Sequence, residues 1–163
     1  TERAVMRILG ESGVSDGTTS VKQLDHLVFA PRARVLVGAT EGGDLWRWRL
    51  QPDGRIVDER RLATGVGDIR TIALNPAGTI AVAAGYEAKA WAWSLACTDC
   101  PPSVWTAQSQ LRVARFSADG QRLAIGSVSG WIAMWNRLGR HWTEPQYLRG
   151  HDGEIVRGQA RRV

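Results

Sequence analysis

The stretch LRVARFSADGQRLAIGSVSGWIAMWN, residues 111–136, decides the reading of this chain. Three short apolar runs, 111–116, 122–127 and 131–136, alternate with a period of two. They are parted by Ser117-Ala118-Asp119-Gly120 and Val128-Ser129-Gly130. That is the pattern of strands joined by tight hairpins, since alternate side chains of a strand face opposite sides and Gly, Asp and Ser tolerate turn geometry.

The same pattern occurs twice upstream. Residues 24–29, 35–40 and 44–48 form one copy, with Pro31 and the Glu41-Gly42-Gly43 turn between its runs. Residues 69–74, 79–84 and 89–93 form another, punctuated by Asn75-Pro76-Ala77-Gly78 and a turn over 85–88. The landmarks Trp48, Trp93 and Trp135, and Phe29, Leu74 and Phe116, keep one register throughout. Segments 55–64, 103–108 and 145–149 can each supply a fourth strand. No segment sustains the i, i+3, i+4, i+7 spacing of an amphipathic helix, so an all-β chain of repeated four-stranded antiparallel units is expected.

These residues resemble the WD-repeat family of β-propellers. Phe116-Ser117-Ala118-Asp119-Gly120 and Trp135-Asn136 stand for its two signatures, and Gly150-His151 for the dipeptide that opens a further repeat. The resemblance implies blades spanning about 24–64, 69–108 and 111–149, with 150–163 starting another, all within one partial propeller domain over 1–163. It also implies structural roles for the six landmark residues and for His151. In that family a His, a Ser or Thr, a turn Asp and the Trp form a hydrogen-bonded tetrad, and no copy here keeps it whole. Thr40 and Ser127 fill the hydroxyl place, while Gly42, Glu87 and Ser129 replace the turn Asp. The blades should therefore depend on packing more than on polar clamps. Three blades with partial ends do not close a ring of four to eight, so the expectation is a fragment of a larger propeller or a ring completed by further copies.

Composition bounds the rest. The chain has 163 residues, 44% hydrophobic and 23% charged, with a net charge of +5. The excess is carried by arginine, Lys22 and Lys89 being the only lysines. Arginine forks onto carboxylates and phosphates, so acidic partners are favoured, although a GC-rich coding sequence produces the same bias. No run approaches the ~18 apolar residues of a membrane span, and the start lacks a signal peptide's apolar core, so a cytoplasmic protein without a membrane partner is expected. The absence of an initiator Met suits a processed chain or part of a longer one.

The site candidates lie on the rim where strand ends and turns of successive blades converge, the surface WD-repeat proteins use for partners. They are Asp25, Arg70 and Arg112 at the innermost strands, and Glu41, Tyr86, Glu87 and Ser129 in the turns, with Asp68 and Asp152 in loops. Arg70 and Arg112 are the candidates for gripping a carboxylate or phosphate. Trp131, with Trp105 and Trp142, is either core or an exposed anchor. Cys97-Thr98-Asp99-Cys100 reads as incidental loop cysteines in a reducing compartment, half a zinc site, or a disulfide. His26, His141 and His151 are scattered, and no nucleophile elbow, zinc-protease or phosphate-loop motif is present. The expected function is therefore a protein-binding or sensor scaffold, without enzymatic activity or cofactor, of the kind bacterial propellers place behind signalling domains. Nucleic-acid binding through the basic surface and Arg157, Arg161 and Arg162, and a purely structural self-assembling unit, are the competing readings.

Overall fold

The computed structural model describes residues 4–10, 13–19, 24–30, 32–63, 65–97, 99–139 and 141–149. His151, Asp152 and the arginines of the C-terminal tail lie outside the described residues, as does the start of a further blade at 150–163. Among the described residues every regular element is a strand.

The chain opens with a hairpin of β1 (Ala4–Gly10) and β2 (Gly13–Thr19) that the sequence pattern did not announce. Three meanders follow. The first blade pairs β3 (His26–Ala30), β4 (Val35–Ala39), β5 (Leu45–Leu50) and β6 (Ile56–Ala63) in sequential antiparallel order. The second pairs β7 (Ile69–Leu74), β8 (Ile80–Gly85), β9 (Lys89–Ser94) and β10 (Ser103–Thr106) in the same way. The third runs β11 (Leu111–Phe116), β12 (Arg122–Ser127) and β13 (Trp131–Leu138). Its β13 carries both β14 (His141–Trp142) and β15 (Gln146–Arg149) on its outer edge. The expected all-β architecture of consecutive propeller-like blades is present, and among the described residues the blades do not close into a ring.

The turns form for local reasons. Gly78 and Gly120 follow their turns with φ of 64° and 70°, the left-handed region that a side chain opposes. A Cβ at Gly78 would also stand 2.4 Å from that of Ala33, so the turn of the second blade tucks against the first. Upstream of these glycines, Asn75 Oδ1 accepts from the amides of Thr79 and Ile80, both at 2.8 Å. Asp119 Oδ1 accepts from the Ser117 hydroxyl and from the amide of Gln121 at 2.9 Å, and these bonds hold its carboxyl below the ordinary range.

The core lies between blades. Val35, Val37, Ala39 and Leu45 of the first meet Ile72, Ala81, Ala83 and Trp93 of the second. The second turns Val82, Ala84, Ala90 and Ala92 toward Leu111, Leu123, Ile125 and Trp135 of the third. Small residues on one face thus receive the tryptophan of the next blade, as period-two alternation requires. Trp48, Trp93 and Trp135 are all buried. The indole nitrogen of Trp48 donates to Glu59 at 2.8 Å, whereas that of Trp135 has no hydrogen-bond partner among the described residues.

Leu74 and Phe116 pack into the interfaces with the preceding blade, but Phe29 is 47% exposed and its neighbour Leu27 53%. The positions matching Leu27 are Ile72 and Ala114, at 7% and 0%. The same register gives a core residue only where another blade stands against it.

Candidate functional site

The innermost strands β3, β7 and β11 lie side by side, since β3 and β11 both contact β7. They border a groove of about 540 Å³. Among the described residues its basic groups are His26, Arg70, Arg112 and Arg115, its floor includes Leu27, Ile72 and Val113, and no carboxylate lines it. The groove runs along the strands themselves: consecutive residues 70–74 of β7 line it, and of these only Arg70 is exposed.

Arg70 and Arg112 occupy matching positions at a strand irregularity, where the register shifts between Ile69 and Thr71 and between Leu111 and Val113. Each arginine is the residue that the strand register skips there, and both line the groove, while Thr71 stays buried and accepts from the Ala114 amide at 3.3 Å. The Arg70 guanidinium stacks on the Tyr86 ring, 4.0 Å from its centroid, and donates to the Tyr86 hydroxyl. Asp68 is its nearest carboxylate, at 3.9 Å. Arg115 donates to the Ala114 carbonyl at 2.8 Å, and His26 Nε2 is 3.0 Å from the Ile69 carbonyl, tying β3 to β7.

The structure brings some of the sequence candidates together and leaves others apart. Arg70 and Arg112 share the groove, and Tyr86 supports Arg70. Asp25, Glu41, Glu87 and Ser129 are exposed but do not line the groove. Glu87 is paired with Lys89 at 3.5 Å, and Ser129 hydrogen-bonds Ser109 at 2.7 Å. His26, Arg115 and Ser117 line the groove and were not singled out from sequence. The inward or outward side of each alternation would have named Arg115, had the neighbouring blade been known.

Trp105 and Trp142, open to either reading in the sequence, are half-buried and pack against the core between the second and third blades. Trp105 lies 5.1 Å from Trp135 and 6.2 Å from Trp142, centroid to centroid, because the outer strands fold their bulky residues back over the third blade's tryptophan. Trp131 is also half-buried and meets Tyr147 edge-on at 5.8 Å.

Cys97 and Cys100 form a disulfide, which removes the half-zinc reading and that of incidental thiols, and runs against a reducing compartment. Among the described residues no group of three or more His, Cys, Asp or Glu could hold a metal. The bridged loop is a contact of the first blade: Arg47 donates to the Leu95 carbonyl at 3.2 Å and Arg60 to that of Cys97 at 3.4 Å. The bridge closes only a short loop, so chain entropy limits its worth to about 2 kcal/mol. Reduction by dithiothreitol should lower the melting temperature by a few degrees, while a Cys97→Ser/Cys100→Ser variant should not respond to reductant. A thermal melt in both redox states checks this.

No helix of the described residues is long and apolar enough to cross a membrane. No family model matches the chain, and no curated protein matches it either.

Proposed function

We propose that this chain is a protein-interaction module of the WD-repeat type, serving as scaffold or sensor within a larger signalling protein. Its inner-strand groove holds an acidic segment of a partner. The observation that carries this reading is the groove itself, lined by Arg70, Arg112 and Arg115 and, among the described residues, by no carboxylate. A cation wall over an apolar floor favours an anionic strand, and forked guanidinium hydrogen bonds to carboxylates are among the stronger polar contacts. Binding rather than catalysis is the function proposed.

The test is titration of the protein with a labelled Glu-rich peptide and with its Gln counterpart, followed by fluorescence anisotropy. The Glu peptide should bind and the Gln peptide should not. Arg70→Glu and Arg112→Glu should each weaken binding by about tenfold or more, since a hydrogen bond to a charged group contributes about 1.5–3 kcal/mol. Equal binding of the two peptides would sink the proposal. Preferential binding of random single-stranded DNA or RNA, falling steeply with salt, would replace it with the nucleic-acid reading.

A further inference from the structure

A second pocket, about 320 Å³, opens between the outer edges of the second and third blades. Thr106, Ala107 and Gln108 close one side, at the end of β10, and Trp131, Tyr147 and Arg149 the other. The third blade departs from the repeat at this spot. The strand position of Trp131 is held by Asp44 in the first blade and Lys89 in the second, and that of Tyr147 by Arg61 and Val104. Blade packing therefore does not demand an aromatic pair here, since two blades fold with polar or aliphatic residues in its place. Trp131 is nonetheless held firmly by the core beneath it, with Tyr147 standing edge-on and 60% exposed.

Arg149 pairs across the strands with Trp131. Among the described residues it makes no ion pair and no carboxylate lines the pocket. The site thus offers an apolar aromatic wall, one cation that no described carboxylate compensates, and the neutral hydrogen-bonding groups of Thr106 and Gln108. Trp, Tyr and Arg are the side chains that dominate binding energy where they cluster. The volume stands at the small end of ligand pockets, which run about 300–1,000 Å³, so it suits one end group rather than a length of chain.

We propose that this pocket binds the carboxyl terminus of a peptide whose last side chain is apolar. The apolar side chain covers the Trp131–Tyr147 wall, and the α-carboxylate meets Arg149 with Thr106 or Gln108 donating beside it. A bare phosphate would leave the aromatic wall wet, and an uncharged apolar group would leave Arg149 unmatched. The site does not depend on the groove between the inner strands.

The probe is N-acetyl-leucine, compared with N-acetyl-leucinamide and inorganic phosphate, with the Trp131 indole resonance followed by NMR and assigned by Trp131→Phe. N-acetyl-leucine should shift that resonance saturably, with the amide and phosphate each at least about tenfold weaker, a loss of about 1.4 kcal/mol. Arg149→Gln should bring acid and amide to the same affinity, and Tyr147→Ala should weaken the acid. Both residues are exposed, so neither change threatens the fold. Arg70→Glu should leave every value unchanged, which separates this site from the acidic-peptide groove. Equal binding of acid and amide to the unaltered protein, phosphate binding as well as the acid, or an unchanged acid affinity in Arg149→Gln would each overturn the proposal.

Discussion

Trp93→Ala lowers the unfolding free energy by about 3–5 kcal/mol, the range for deleting a large aromatic from a close-packed core. Trp93 is 4% exposed and stands in the cluster that joins the first and second blades. Its loss leaves a cavity between sheets that are close-packed on one another. Stability of stacked units is roughly a sum of unit and interface terms, so the weakened junction should also reduce cooperativity. Urea denaturation followed by circular dichroism checks the magnitude, and hydrogen exchange shows where protection falls. Loss should concentrate in β3 to β9, with β11 to β13 spared. A cost below about 1 kcal/mol would show that the blades are not held by this interface.

The second large effect concerns Arg47, whose side chain is 11% exposed between the first two blades. It is paired with Asp58, donates to the Leu95 carbonyl, and has a buried Nε without a hydrogen-bond partner among the described residues. Burial pulls the guanidinium below its ordinary value, and the Asp58 charge only partly opposes this. Asp58→Ala strands a buried cation and should cost about 2–4 kcal/mol, below the range for a fully buried pair because the Asp58 side chain is 32% exposed. Arg47→Met should cost less than about 1 kcal/mol or stabilise, because Asp58 keeps Arg49 at 3.1 Å. The repeat itself supports this: the matching positions are Ala92 and Met134. Thermal melts of both single variants and the double variant decide it. If Arg47→Met proves as costly as Asp58→Ala, the ion pair is a net stabiliser and this account of the junction fails.

Much of the fold was legible because period two and turn chemistry are local. Residues 69–74, 111–116 and 122–127 were bounded to the residue by their alternation and by the turns at 75–78 and 117–120. The hairpin of β1 and β2 escaped, since 4–19 offers no clean alternation: Gly13-Val14-Ser15-Asp16-Gly17-Thr18-Thr19 has one large apolar residue. The second strand on the edge of β13, His141–Trp142, escaped because two residues carry no period.

The candidate site was half legible. Arg70 and Arg112 could be matched by register, and they share the groove. Arg115, His26, Tyr147 and Arg149 could not, since what makes them neighbours is the placement of one blade beside another. The disulfide was one of three open readings of a Cys-x-x-Cys loop, and only the approach of the two sulfurs chose among them.

The sequence by itself determined the strand-turn-strand units, their common register, and the tryptophan that ends each third strand. These follow from the two-residue period of a strand and the backbone freedom of turn residues, which act over a few neighbours. Only the tertiary structure decided which face of each strand is core. Phe29 and Phe116 read alike in the chain, yet one is half-exposed and the other is packed, because burial belongs to a residue and whatever stands opposite it.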